Sequence, residues 1–191
     1  MTPSKTAEPS ARGRTERPTV PLMPPTVRKT VTVLHVVSSV GWLGLMLCLL
    51  TLGANALLTD DADTLRFSYR AADLLGDALI IPLALLALLT GLLLALGTRW
   101  GLFKHTWVAT KFWLTLVAAA ASIFELRARL HEAAHVVATH PTGPISAMDL
   151  GSLRSTLVVA PVVALAIYAA NVTLSVVKPW GRRDKAKAKA S

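Results

Sequence analysis

The sequence has a single cysteine, Cys48, among 191 residues, and only 16% of its residues are charged. One cysteine excludes a disulfide framework within the chain and a metal site built from several thiolates. So few charges, beside 53% hydrophobic residues and a mean hydropathy of +0.52, exclude a disordered chain. They also exclude an ordinary soluble domain, in which about 25% of residues are charged. Phosphate-binding loops, dinucleotide fingerprints and serine nucleophile elbows are absent from the sequence, so those enzyme classes have no support.

Four long apolar segments take up most of the chain. A helix needs about 20 apolar residues to cross a bilayer, and each segment reaches that length. A strand interpretation fails because the segments are too long and lack alternation of apolar and polar residues. We therefore predict an all-α polytopic membrane protein, an antiparallel bundle of four transmembrane helices within residues 31–177. The predicted spans are 31–58, 76–98, 106–126 and 154–177.

Basic residues are concentrated in the two tails and in the short link between the second and third spans. Residues 1–30 are rich in proline and predicted to be disordered, and residues 178–191 form a second basic tail. The positive-inside rule then predicts a protein of the cell (inner) membrane with both termini cytoplasmic. Anionic lipid headgroups account for the net charge of +9, so no nucleic-acid partner is predicted. The expected partners are the lipid bilayer and either a second copy of the chain or another membrane protein.

Three polar residues lie at similar depths in predicted spans. His35 shares a helix face with Trp42, while Lys111 and Asn171 lie within a few turns of the same membrane surface. Polar groups inside a bilayer are costly and face the bundle or a cavity. A neutral imidazole can ligate haem iron and a lysine can hold a propionate, and a quinone is the other ligand considered. We take His35 and Lys111 as candidate cofactor-binding residues and haem b as the candidate cofactor, with no catalytic residue and no metal ligand assigned.

A structural interpretation of the same residues stays open. In it, Lys111 extends to the headgroups, and His35 hydrogen-bonds a neighbouring backbone group or Asn171.

A second motif, His131-Glu132-Ala133-Ala134-His135, has the H-E-x-x-H spacing of zinc peptidases. On a helix this spacing puts two imidazoles on one face, with the glutamate as general base. A peptidase also needs a third ligand, and His140 does not have the spacing of the extended motif. Asp149 is the remaining candidate for that position. We favour the interpretation that the motif is the solvated end of an amphipathic helix.

Four stretches of the chain carry a family resemblance: Leu34-His35-Val36, Gly41-Trp42-Leu43-Gly44, residues 96–111 and Lys178-Pro179-Trp180-Gly181. They resemble an uncharacterised bacterial family of four-helix integral membrane proteins, over about residues 31–181. A more distant similarity is to the copper-resistance D proteins and to HemJ-type protoporphyrinogen oxidases. In the latter, a histidine of helix one and a lysine of helix three are implicated in activity, and the matching positions are His35 and Lys111. The HemJ pattern expects a further histidine late in helix three, where this chain has Ile123-Phe124-Glu125.

The leading hypothesis is an integral membrane protein of unassigned biochemical function, accessory or non-enzymatic. The alternative is a haem- or quinone-contacting membrane redox protein that resembles the HemJ-type oxidases. The third is a metal-dependent membrane peptidase that uses the HEAAH motif.

Overall fold

The computed structural model describes residues 23–97 and 106–177, and this part of the chain is almost entirely helical, with no strand. The helices are α1 (Pro25–Leu58), α2 (Ala62–Gly97), α3 (Thr106–Ala120), α4 (Arg127–Thr139) and α5 (Leu153–Val177). A π-helical turn, Ala121–Leu126, makes α3 and α4 one continuous helix, and a 3-10 turn, Ile145–Ala147, precedes α5.

Four helical stretches are long and apolar enough to cross a membrane: α1, α2, α3 continued through α4, and α5. They confirm the predicted all-α, four-helix architecture. At 1.5 Å per residue α1 and α2 are each more than about 50 Å long, so they exceed a hydrocarbon layer of about 30 Å.

The helix boundaries differ from the predicted segment boundaries. α1 begins at Pro25, inside the segment predicted as a disordered tail, because a proline in the first turn is compatible with helix geometry. α2 begins at Ala62, well before the predicted span at 76. The rest of the predicted first tail, residues 1–22, and the second tail, 178–191, lie outside the described residues.

The helices form a ring in which α1 and α3 each pack between α2 and α5 and lie diagonally opposite one another. At one end of the bundle α1 and α3 begin and α2 and α5 finish, and we call this end the cleft end. The opposite end is called the loop end. The most deeply buried large side chains lie towards the loop end, and they include Leu49, Leu65, Tyr69 and Val137. The cleft end is packed less tightly, and it contains the cavities described below.

Glycine sets the distance between α1 and α5. A Cβ placed on Gly53 would lie 2.5 Å from the backbone carbonyl oxygen of Leu157. Only a residue without a side chain lets two backbones approach so closely, which is how small residues act at helix contacts in membranes.

The loop end is fixed by charged side chains that bind backbone groups. Asp61 caps α2 by accepting the Thr64 backbone N–H at 2.8 Å, and the hydrogen bonds from Thr64 lower the pKa of this carboxyl below its ordinary value. Arg66 is buried and donates to the carbonyl oxygens of His140 and Gly143, at 2.8 and 2.7 Å. These bonds hold the loop between α4 and α5 against α2.

Candidate functional site

A cleft at the cleft end of the bundle consists of two adjoining compartments. The α2–α3 compartment has a volume of about 290 Å³ and is mostly apolar, with Leu88, Leu94 and Phe112 in its walls. The α1–α5 compartment has a volume of about 220 Å³, and its wall also has more apolar than polar surface, although more of its residues are polar. His35 and Lys111, the two residues that the sequence selected, line both compartments. The polar side chains that line the α1–α5 compartment but not the α2–α3 compartment are Ser39, Trp42, Tyr168, Asn171 and Ser175.

His35 is half-buried, and its ring contacts α2. Its Nδ1 lies 3.1 Å from the carbonyl oxygen of Ala87 and 3.0 Å from Oγ1 of Thr90. A carbonyl oxygen can only accept a hydrogen bond, so these contacts assign the proton of the neutral ring to Nδ1. The other ring nitrogen, Nε2, then carries a lone pair.

Gly91 provides the space that His35 occupies. A Cβ placed on Gly91 would lie 3.1 Å from Cε1 of the His35 ring, which is closer than a relaxed contact. The stripe formed by Ala87, Gly91 and Ala95 therefore borders His35 and the cleft.

This contact predicts that the effect of Gly91→Ala depends on His35. In the otherwise unchanged protein, crowding of the ring is expected to lower the free energy of unfolding by about 1 kcal/mol. In a His35→Ala background the clash is absent, and the same substitution is expected to raise it by up to about 1 kcal/mol through helix propensity. Unfolding titrations of the four proteins of this double-mutant cycle measure both values. An equal effect in both backgrounds contradicts the contact.

Lys111 belongs to a hydrogen-bond network between α3 and α5. Its Nζ donates to Oγ of Ser175, and Ser175 donates in turn to the carbonyl oxygen of Asn171 at 2.9 Å. Nδ2 of Asn171 donates to Oγ1 of Thr115 at 3.2 Å. No carboxylate of the described residues pairs with Lys111, and its ammonium has two further N–H donors. A cation in this position favours a ligand that offers an acceptor.

Trp42 and Asn171 each have a buried polar atom without a hydrogen-bond partner in the described part of the chain: Nε1 of Trp42 and Oδ1 of Asn171. Both residues line the α1–α5 compartment and also a small adjoining cavity of about 30 Å³. Buried polar atoms are usually paired with protein or with water, so a bound polar group or water is expected here.

The structure assigns Ser175 and Thr115 to the site, and the sequence analysis did not select them. A signal for both existed, because each lies four residues after a selected residue: Thr115 follows Lys111 and Ser175 follows Asn171. That spacing puts each pair on one helix face. The link between the second and third spans, residues 98–105, lies outside the described residues.

The HEAAH motif lies at the loop end, on the exposed side of α4. Nδ1 of His131 is 3.5 Å from Oδ1 of Asp73, with the His131 side chain 81% exposed, and Glu132 accepts from Arg129 at 3.1 Å. Within residues 23–97 and 106–177 no three His, Cys, Asp or Glu side chains come together in a group that could hold a metal ion. The third ligand that a zinc peptidase requires is therefore not supplied by this part of the chain.

Fold and cleft together define an all-α protein that has four helices suited to crossing a membrane and, at one end, a cleft lined by His35 and Lys111. No family model matches the chain, and neither a curated protein nor a solved structure matches it. The family resemblance read from the sequence stays a prediction.

Proposed function

We propose that this chain is a multi-pass protein of the inner membrane, with both tails cytoplasmic, and that it binds a quinone-type molecule in its cleft as an accessory, non-catalytic protein. The observation that carries the proposal is that His35 and Lys111, on diagonally opposite helices, line one cleft. The proposed orientation rests on the excess of lysine and arginine in the tails. It puts the cleft in the cytoplasmic half of the membrane.

The division of the cleft favours a ligand with an apolar chain and a polar ring. The walls of the α2–α3 compartment, which include Leu88, Leu94 and Phe112, suit an isoprenoid chain. The polar side chains of the α1–α5 compartment, which include Ser39 and Tyr168, suit a ring with oxygen substituents. Lys111 supplies hydrogen-bond donors and His35 supplies an acceptor, and a few convergent polar groups of this kind in a mostly apolar site fix a ligand's orientation.

Haem b is the second candidate, and one observation favours it. A histidine that ligates a metal commonly donates its other ring N–H to a carbonyl or carboxylate, and Nδ1 of His35 lies against the Ala87 carbonyl oxygen in this way. Haem bound there supplies one-electron chemistry, with Lys111 placed to hold a propionate.

The test is binding of a short-chain benzoquinone to the full-length protein in detergent micelles, by calorimetry with a protein-free micelle titration subtracted. Saturable binding is expected. Lys111→Met and His35→Ala are each expected to weaken it about 10-fold or more, since a hydrogen bond to a charged or buried group is lost. His131→Ala, at the exposed loop end, is the matched control and is expected to bind as the unmodified protein does.

An absorption spectrum of protein expressed with ample haem tests the second candidate. A Soret band that His35→Ala abolishes and His131→Ala keeps favours haem over the quinone. If the protein shows no quinone binding and no Soret band, the proposal is overturned.

A further inference from the structure

Charged side chains are distributed unevenly between the two ends of the bundle. Within residues 23–97 and 106–177, every Asp and Glu lies in the stretches 60–77 and 125–149, in the half nearer the loop end. In the same part of the chain, the cations of the half nearer the cleft end are Arg28, Lys29 and Lys111. A cleft that is bordered by charge of one sign and has apolar walls focuses its electric field and attracts ligands of the opposite sign.

Lys111 is the cation that reaches the cleft. It is partly buried and lines both compartments, whereas Arg28 and Lys29 are exposed. Its Nζ donates to the hydroxyl oxygen of Ser175, a neutral partner that lines the α1–α5 compartment. Glu125, the next carboxylate along the same continuous helix, is about 21 Å away. Removing a cation from water without a counter-charge is costly, so an anion in the cleft supplies the partner that the described residues do not give Lys111.

Quinones differ in charge, and this difference decides how well they match Lys111. A quinone without a ring hydroxyl is neutral, and its carbonyl oxygens accept a hydrogen bond from the ammonium. A hydroxyl next to a carbonyl on a naphthoquinone ring is acidic enough to be ionised at neutral pH, and the negative charge is shared among the ring oxygens. Such an anion accepts the same hydrogen bond and adds a Coulomb attraction, which is stronger at a partly buried site than in water.

We propose that the cleft takes its ligand as an anion, a quinone whose ring carries an ionised hydroxyl oxygen, and that Lys111 is the residue that selects this charge. The inference rests on the proposed quinone function and specifies the charge state of the ligand. The ionised oxygen pairs with Lys111, and the apolar walls of the α2–α3 compartment remain available to an uncharged chain.

The experiment compares two ligands of the same ring, a hydroxynaphthoquinone that is ionised at neutral pH and the matching methoxynaphthoquinone, which has no ionisable proton. Each is titrated at neutral pH into the full-length protein in non-ionic detergent micelles, by calorimetry with a protein-free micelle titration subtracted. The anion is expected to bind about 10-fold more tightly than the methoxy compound.

Lys111→Gln separates the charge of this residue from its hydrogen bond, because an amide keeps N–H donors and has no charge. The methoxy compound is expected to keep its affinity within about 3-fold, and the preference for the anion is expected to fall below about 3-fold. Lys111→Met, which also removes the donors, is expected to weaken both ligands and to abolish the same preference. It serves as the second variant if Lys111→Gln does not fold.

Lys29→Gln is the matched control, because Lys29 is an exposed cation near the same end of the molecule. It removes one positive charge outside the cleft, and the ratio of the two affinities is expected to stay as it is. Octanoate, an anion with an apolar chain and no ring, is the second comparison and is expected to bind more weakly than the hydroxynaphthoquinone.

The outcomes separate the inference from the function on which it rests. Equal binding of the two naphthoquinones, or tighter binding of the methoxy compound, overturns the charge selectivity and leaves quinone binding standing. A preference that survives Lys111→Gln, or that Lys29→Gln abolishes, overturns the assignment to Lys111. Octanoate binding as tightly as the hydroxynaphthoquinone overturns the quinone ring as the recognised group. Binding of neither naphthoquinone overturns the inference, and the proposed function falls with it if the benzoquinone also fails to bind.

Discussion

Replacing Gly53 by alanine is expected to lower the free energy of unfolding by about 3 kcal/mol. The added Cβ would lie 2.5 Å from the carbonyl oxygen of Leu157 and 3.1 Å from its carbonyl carbon. Both partners are backbone atoms, so no side-chain rotation relieves the overlap and α1 must move away from α5. Thermal or denaturant unfolding of the purified protein in detergent measures the loss.

Gly44→Ala is the matched control, because nothing lies within 4 Å of a Cβ at that position of the same helix. It is expected to leave stability unchanged or to raise it through helix propensity. The clash at Gly53 is contradicted if the two alanine variants are equally stable. Since α1 and α5 also line the α1–α5 compartment, Gly53→Ala is expected to weaken ligand binding as well.

Replacing Arg66 by alanine is expected to cost about 3 kcal/mol and to release the loop between α4 and α5. Arg66 is 7% exposed, and its guanidinium bonds the carbonyl oxygens of His140 and Gly143 together with the Asp63 carboxylate. Hydrogen bonds from a charged group contribute about 1.5–3 kcal/mol each, and the carbonyl oxygens lose their partner. Unfolding titrations measure the first effect, and proteolysis of loop residues 140–152 measures the second.

Arg70→Ala is the comparison, because Arg70 lies one turn further along α2 and is exposed. Its removal is expected to change stability by less than about 0.5 kcal/mol. Arg66→Lys is expected to restore little of the stability that Arg66→Ala loses, since an ammonium cannot reproduce the planar guanidinium that bonds two carbonyl oxygens at once. Equal protease resistance of the Arg66→Ala and Arg70→Ala proteins argues against the role of Arg66 in holding the loop.

The candidate site could be predicted in part. The sequence placed His35, Lys111 and Asn171 at one depth, because depth follows from counting residues along a helix. It left two interpretations of Lys111 and His35 open, and the structure gives each residue its contacts: Lys111 bonds Ser175, and His35 bonds the backbone of Ala87. Counting along one helix gives no information on the rotation of its neighbour, so these hydrogen-bond partners could not be predicted from the sequence.

The unpaired atoms of Trp42 and Asn171 illustrate the same limit. Each residue type is ordinary in an apolar helix, and nothing in the sequence distinguishes a paired amide from an unpaired one. Only the packing of the helices against one another leaves Nε1 of Trp42 and Oδ1 of Asn171 buried and without a hydrogen-bond partner in the described residues.

The sequence by itself determined that the chain forms four long helices, because apolar runs of this length without strand alternation permit no other regular structure. The Asp61 cap of α2 is also local, because its partner Thr64 lies three residues along the chain. The tertiary structure decided which helices are diagonal, how closely α1 approaches α5 at Gly53, and which side chains share the cleft. Local patterns follow from the chemistry of adjacent residues, whereas rotation and spacing of helices follow from the packing of surfaces that are distant in the sequence.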